Sequence, residues 1–256
     1  MDDRGWYRNK IEQLVEEEKA RTCGPESALR YEAEHHMRFN RTLHICAQFV
    51  PDATACVLDV GRSSLTRLLA SRYKTVWSLG FDLAEDKGGH REAGSSGGIK
   101  HLVFDLNESD QCAKWPNSPC TFDLIVFSET IEHLFTAPEF SLLMLSSLLK
   151  PDGFLVVTTP NAVSLSKRVN LALGRNPFEM IRYYRKNAGH FREYTMRELR
   201  RMGRTCGLKA VASHYTNYSL TGGRTAIKLA TSLIPQFRDA LILVYQKDGA
   251  ESHPLL

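Results

Sequence analysis

The chain has 256 residues, a formal net charge of +4 and 43% hydrophobic residues. This length is enough for one large α/β domain or two small ones, and the apolar content is enough for a sizeable core. The basic residues are too scattered for a dedicated nucleic-acid-binding protein, and no run reaches the ~18 apolar residues of a membrane helix, which argues against both classes.

The six cysteines show neither a CxxC pair nor the spacing of a zinc site. The N-terminal residues Met1–Arg4 begin without the apolar stretch of a secretory signal peptide. We therefore expect a reduced, cytoplasmic protein with no membrane span.

Helical patterns at about residues 6–22 and 28–49 predict a helical N-terminal cover over residues 1–50. From residue 51 onward, apolar runs alternate with helical patterns, which predicts a parallel sheet with crossover helices. The first five predicted strands are Ala55–Val60, Thr75–Phe81, His101–Phe104, Phe122–Phe127 and Phe154–Thr158. A tight turn is predicted at Lys150–Gly153, and a Gly- and Ser-rich loop at Gly88–Gly98.

Residues 162–194 do not fit this alternation and predict a lid between strands five and six. A helix over Thr195–Cys206 follows, with Thr195 as its N-cap and Gly207 as its C-cap. The remaining predicted segments are two final strands at Lys209–Tyr215 and Leu241–Gln246, an insertion at about 219–239 and a tail at 248–256. The domain itself is expected to span residues 51–247 and to contain a seven-stranded, mostly parallel sheet.

Three features follow the first three strands, where open α/β sheets bind ligands. Gly61 allows a tight turn after the first strand. Asp82 lies 21 residues later and can accept a hydrogen bond from a ribose diol. Asp105 ends the third strand and can accept one from an adenine amine.

At these residues the chain resembles the class I S-adenosylmethionine (SAM)-dependent methyltransferases, over about residues 50–215. The resemblance implies a Rossmann-like α/β fold with helices on both faces of the sheet, and SAM as cofactor. The implied cofactor-binding residues are Asp59, Gly61, Ser63, Asp82, Asp105, Leu106 and Ser128. The family usually has Gly-x-Gly-x-Gly after strand one, whereas this chain keeps only the first glycine. Nicotinamide dinucleotides are disfavoured because they need the second glycine.

The segment Ser128–Leu134 places Glu129, Glu132 and His133 directly after strand four. At helical spacing these three side chains share one face. The string resembles the metal-binding motif of ubiquinone-pathway O-methyltransferases and of small-RNA 3′-terminal 2′-O-methyltransferases, in which a later histidine, here His190, completes the site.

That resemblance implies a Mg²⁺, Mn²⁺, Fe²⁺ or Zn²⁺ site formed by Glu129, Glu132, His133 and His190. His133, His190 and Glu129 are the implied catalytic residues. Two other interpretations remain open at this point. The same residues can act without a metal, in catalysis or in contact with the cofactor, or they can simply begin a helix that the macrodipole favours.

Two further segments are candidates for the substrate site. Met180–Asn187 mixes cations with aromatics, which can stack on bases or sugars, although a solvated helix face would look the same. Four residues of the N-terminal cover can form the opposite wall or an ordinary cap on the sheet: Tyr31, His35, His36 and Arg38.

The overall pattern, including Thr159–Asn161, also resembles methyltransferases of polysaccharide and natural-product clusters. We predict O-methyl transfer to a hydroxyl of a small molecule or glycan, with nucleic acid disfavoured as a partner and with no membrane span. Two alternatives remain. One is an RNA 3′-end 2′-O-methyltransferase, which the mild charge argues against. The other is a non-catalytic SAM-binding partner subunit, which the missing glycines favour.

Overall fold

The computed structural model describes residues 8–14, 16–17, 25–82, 98–183, 189–218 and 225–248. Its strands are β1 (Cys56–Val60), β2 (Thr75–Gly80), β3 (Lys100–Val103), β4 (Phe122–Ser128), β5 (Leu149–Pro160), β6 (Leu208–Thr216) and β7 (Ala240–Lys247). They form one sheet in the order β3-β2-β1-β4-β5-β7-β6. The first five strands are parallel, and β7 runs antiparallel to β5 and β6. The predicted seven-stranded, mostly parallel sheet is confirmed.

Helices cover both faces of this sheet. They are α1 (Pro25–Phe49), α2 (Ser64–Arg72), α3 (Pro138–Leu148), α4 (Leu165–Ala172), α5 (Met196–Thr205) and α6 (Thr225–Leu233). Residues 8–14 and 16–17 are also helical. Alternate residues of a strand point to opposite faces, so Val57 packs in one core cluster with Leu69 of α2, and Leu58 packs in the other with Leu145 of α3.

One predicted connection differs from the observed one. The Lys150–Gly153 turn lies inside β5, where Leu149 pairs with Phe122 and Phe154 pairs with Leu124. The extra residues form a bulge with Asp152 at φ 61°, because both flanks keep their pairing with β4. The predicted lid contains α4, and the predicted insertion contains α6 and a 3₁₀ turn at Pro235–Phe237.

Some predicted features lie outside the described residues. They are residues 88–97 of the Gly- and Ser-rich loop, residues 184–187 of the cationic and aromatic segment, the Tyr31 side chain and the tail beyond residue 248. Among the helices that are described, none is both long enough and apolar enough to cross a membrane.

The topology places several connections at one end of the molecule. The carboxyl ends of the parallel strands meet there. Ala240 at the start of antiparallel β7 pairs with Pro160 at the end of β5, so the β6–β7 connection lies at the same end. Side chains from distant parts of the chain therefore meet at this edge of the sheet.

Candidate active site

The loop after β1 turns at Gly61, which has a φ of +85°. Its N–H donates to the carbonyl of Leu79 at 2.8 Å, and a Cβ at this position would lie 3.5 Å from Oγ1 of Thr130. Ser63, in the position of the second family glycine, has extended backbone at φ −152° and ψ −175°. Its Oγ accepts from the N–H of Leu65 at 3.2 Å and caps α2. A serine therefore fits this position without strain, which explains the departure from the glycine pattern.

The two aspartates beside this loop have different environments. Asp59 is buried beneath the loop, where its Oδ2 accepts from Oγ1 of Thr66 at 2.6 Å. Burial raises the pKa of the Asp59 carboxyl to about 8. Asp105 is only partly buried, and its Oδ1 accepts from the N–H of Asn107 at 2.9 Å. Asp59 thus supports the loop from below, whereas Asp105 lies at the open edge of the sheet.

The other predicted cofactor residues lie at the same edge. Asp82 lies two residues after the end of β2, and Leu106 begins the 3₁₀ turn after β3. The hydroxyl of Ser128, at the end of β4, lies 2.8 Å from Oγ1 of Thr158 on β5. The sheet order β3-β2-β1-β4 therefore places the predicted cofactor residues on neighbouring strand ends.

The predicted helix from Glu129 onward was wrong. Glu129 has a φ of 48°, and the next residues form a single 3₁₀ turn at Ile131–His133 before α3 begins at Pro138. The reason is the pairing of β4 with β5, since the N–H of Glu129 donates to the carbonyl of Thr158 at 2.9 Å. The chain leaves the strand through a left-handed residue, so Glu129 does not share a helical face with Glu132 and His133.

Glu129 is held by two other residues. Its Oε1 accepts from Oγ1 of Thr158 at 2.8 Å, and its Oε2 lies 3.5 Å from Nη1 of Arg38 on α1. Burial raises the pKa of Glu129, and the Arg38 guanidinium opposes that shift. Helix α1 therefore contributes a buried cation beside Glu129.

The structure brings together three of the four predicted metal ligands. Potential ligand atoms of Glu132, His133 and His190 all lie within 4.8 Å of one another. The two imidazole rings meet edge to face, with centroids 4.8 Å apart. Glu132 is fully buried; its Oε2 accepts from Oγ1 of Thr159 at 3.0 Å, while its Oε1 has no hydrogen-bond partner among the described residues.

Each histidine has one ring nitrogen engaged by an acceptor. Nδ1 of His133 lies 2.9 Å from the carbonyl of Gly189, and Nδ1 of His190 lies 3.3 Å from Oε1 of Glu193. A carbonyl or carboxylate oxygen can only accept, so each Nδ1 carries the proton and each Nε2 keeps its lone pair. Both Nε2 atoms are therefore available as ligands or proton acceptors.

Burial also determines the charge of this cluster. Burial lowers the pKa of His133, and burial followed by the nearby His133 lowers the pKa of His190 to about 4. Both imidazoles are consequently neutral near pH 7. Burial, followed by the carboxylate of Glu129, raises the pKa of Glu132 well above its usual range. Burial thus disfavours charge on each of these groups, and the cluster presents one carboxyl group and two neutral imidazoles.

Several site residues were not predicted. Thr159, Glu193 and Lys167 support the cluster; Lys167 contacts the Glu193 carboxylate and lies 3.2 Å from the carbonyl of Asn161. Glu193 had a sequence signal, because it follows His190 by three residues. Thr159 belongs to the Thr159–Asn161 string of the family resemblance, which gave it no role, and Lys167 had no signal, since a lysine on a helix is common without any function.

Comparisons with known proteins address the family and the fold of the chain. A protein-family profile described as a methyltransferase domain matches residues 33–213, which is most of the chain. A search of curated proteins gave no significant match.

Among solved structures, a SAM-dependent methyltransferase of Thermotoga maritima is similar, with 17% identity, coverage of 87% of this chain and 95% of that one, and a TM-score of 0.55. An N1-methyltransferase for 1,6-didemethyltoxoflavin from Burkholderia thailandensis, solved with S-adenosylhomocysteine, has 16% identity, coverage of 87% and 88%, and a TM-score of 0.53. The [4+2]-cyclase SpnF has 14% identity, coverage of 83% and 81%, and a TM-score of 0.55. At these identities the similarity shows the fold. The matched family, together with the sheet order and the loop after β1, shows that the chain belongs to the class I SAM-dependent methyltransferases.

Proposed function

We propose that this methyltransferase transfers the SAM methyl group to a hydroxyl oxygen of a small molecule or glycan, assisted by a divalent metal held by Glu132, His133 and His190. The observation that carries the proposal is the convergence of these three side chains within 4.8 Å. One carboxylate and two imidazoles form a donor set that suits Fe²⁺, Mn²⁺ or Zn²⁺.

The surroundings of the three residues fit a cation. The buried Oε1 of Glu132 has no hydrogen-bond partner among the described side chains and main-chain groups, a costly state that a metal would relieve. The Nδ1 atoms of His133 and His190 are each paired with an oxygen, as metal-ligating histidines usually are. Three protein ligands would leave coordination positions for an acceptor.

Glu129 has a different part in the proposal. Glu129 is not among the residues whose ligand atoms lie within 4.8 Å of one another, so we propose it as the proton acceptor rather than as a fourth ligand. Its raised pKa suits a general base, because proton transfer works best when the pKa of the base approaches the working pH. The φ of 48° fits the strain that often accompanies functional residues.

The remaining residues hold and align the reactants. SAM supplies a methyl group that its sulfonium already activates, so the protein mainly aligns the acceptor oxygen and excludes water. Gly61, Ser63, Asp82 and Asp105 are proposed to hold the cofactor at the strand ends. A divalent ion beside Glu132 would supply the positive charge that lowers the pKa of an acceptor hydroxyl.

A second candidate is the same methyl transfer without a metal. It is supported by the lowered pKa values of His133 and His190, because a neutral imidazole can accept the proton of the hydroxyl. The two candidates differ in their response to chelation, since only the first loses activity when metal is removed.

The experiment uses the full chain, SAM with a ¹³C-labelled methyl group, and a panel of catechols, polyols and glycans. We expect a labelled product whose methyl carbon has the NMR shift of an O-methyl group. Activity should disappear after chelation and return with Mn²⁺ or Zn²⁺. Glu132→Gln should lose at least about 100-fold, whereas the control Glu139→Gln on α3 should stay within about twofold. A label on nitrogen would exclude the O-methyl assignment, and full activity after chelation would exclude the metal.

A further inference from the structure

The chain after β5 exposes an unusual number of large apolar side chains. Leu171, Leu173, Phe178, Met180 and Ile181 all lie in α4 or the segment after it, and together we call them the apolar face. Met180 is 82% exposed and Leu173 is 62% exposed. Single exposed apolar residues are ordinary, but a concentration of this size within one segment marks an interaction surface.

The charges around the apolar face have one dominant sign. Residues 165–183 contain four basic residues and one acidic residue, Glu179, and one of the four, Lys167, is ion-paired with Glu193. That carboxylate is already engaged by Arg182 and by the backbone N–H of His190. Arg168 and Arg175 are exposed. The segment therefore combines apolar anchors with positive charge, which is the combination that binds anionic lipid surfaces.

A neighbouring element extends this surface. The guanidinium of Arg168 lies 5.7 Å from the ring centroid of Phe237, so α4 lies beside the β6–β7 connection. That connection includes α6, which exposes Leu229 and Leu233. Both segments belong to the end of the sheet that carries Glu132 and His190.

We propose that the apolar face docks on the surface of an anionic lipid bilayer. Among the described helices none could span a membrane, and α4 has only 8 residues, so the segment would lie in the interfacial plane. The surplus of arginines favours a lipid surface over a second copy of this chain, since two copies would bring like charges together. Docking would turn the active-site end toward the bilayer. The inference does not depend on the metal.

The test is co-sedimentation of the full chain with vesicles of phosphatidylcholine alone and of phosphatidylcholine mixed with phosphatidylglycerol. We expect binding to the mixed vesicles that weakens as salt is added. The double variant Leu173→Ser, Met180→Ser should bind at least about tenfold more weakly, because two anchors are lost. Arg175→Gln should lose about fivefold, the equivalent of ~1 kcal/mol, on the mixed vesicles only.

Matched control variants distinguish binding through the apolar face from nonspecific adsorption to the vesicles. Ile11 is 62% exposed, like Leu173, but lies in the N-terminal helical residues, and Arg201 lies on the exposed side of α5. Ile11→Ser and Arg201→Gln should leave vesicle binding unchanged. The proposal is overturned if the mixed vesicles do not bind the chain, or if the controls weaken binding as much as the test variants. It is also overturned if sedimentation shows a dimer that the double variant dissociates. These outcomes concern vesicle binding and oligomeric state, so none of them decides whether the chain transfers a methyl group in the ¹³C assay.

Discussion

Three buried carboxyl groups at the strand ends differ in their surroundings and therefore in their roles. Asp59 accepts a hydrogen bond from Thr66 beneath the loop after β1, and Glu129 is paired with Arg38. Glu132 keeps one oxygen without a hydrogen-bond partner among the described residues. In the sequence each of these acids lies in an apolar strand or within four residues after one, and this position alone does not give its surroundings. Burial and partners distinguish them, and both depend on residues far away in the chain.

Asp59 leads to a pH-dependent prediction. Burial raises its pKa to about 8, so the native state holds it protonated while the unfolded chain ionises it near pH 4. Wild-type stability should therefore fall as the pH rises from about 5 to 8, by up to ~1.4 kcal/mol per pH unit from this group. Asp59→Asn keeps an acceptor for Thr66 and cannot ionise, so its stability should fall less.

Urea unfolding at several pH values measures this difference. Between pH 5 and pH 8, the free energy of unfolding of Asp59→Asn should rise relative to that of the wild type. The exposed control Asp110→Asn should follow the wild type throughout. Parallel stability curves for Asp59→Asn and the wild type would show that burial of Asp59 does not control this titration.

At the scale of elements, the sequence predicted the strands and helix ends that depend on residues close together in the chain. The apolar runs located β1–β5, and Thr195 correctly marked the start of α5, where it forms a capping box with Glu198. The bulge in β5 and the left-handed Glu129 were not predictable, because both result from pairing between β4 and β5. The helical prediction at Glu132 failed for the same reason.

Helix α5 allows a prediction that opposes local propensity. Alanine is the better helix former at Gly203 by about 1 kcal/mol, but its Cβ would overlap the ring of Tyr245. That ring is buried, and its hydroxyl donates to the carbonyl of Leu199 at 2.6 Å, so it cannot move away easily. Gly203→Ala should lower the free energy of unfolding by ~1–3 kcal/mol.

Thermal or urea unfolding provides the measurement for α5. Arg201→Ala, on the exposed side of the same helix, should change stability by no more than ~0.5 kcal/mol. A Gly203→Ala protein as stable as the wild type would mean that α5 and β7 pack less tightly than the structure shows.

At the scale of the whole molecule, the site is assembled from segments more than 100 residues apart, from Arg38 to His190. The seven-stranded, mostly parallel sheet followed from the alternating pattern and from the resemblance to the family. The sequence did not predict that Glu132, His133 and His190 would converge without Glu129, because this convergence depends on how the chain before α5 packs. There the N–H of Phe191 donates to the carbonyl of Glu132 at 2.8 Å, and His133 bonds Gly189.

Cofactor binding should stabilise the whole chain. S-adenosylhomocysteine at 100 times its Kd should add ~2.7 kcal/mol, or roughly 5–10 °C in Tm for a chain of this size. Gly61→Ala should reduce this shift, because a side chain at a φ of +85° strains the loop beside which the cofactor is proposed to lie. Differential scanning fluorimetry measures both effects.

Gly174→Ala is the matched control, since Gly174 has a φ of +71° but nothing within 4 Å of an added Cβ. It should lower Tm without reducing the shift caused by the ligand. A wild-type chain whose Tm does not respond to S-adenosylhomocysteine would contradict the placement of the cofactor beside Gly61.

The most direct test of the proposed metal centre is calorimetric titration of the metal-stripped protein with Mn²⁺. We predict one ion per chain. Glu132→Gln and His190→Ala should weaken binding by at least about 100-fold, and Glu129→Gln should keep it within about tenfold while lowering kcat. Absence of saturable binding, or a loss in Glu129→Gln as large as that in Glu132→Gln, would contradict a centre formed by Glu132, His133 and His190.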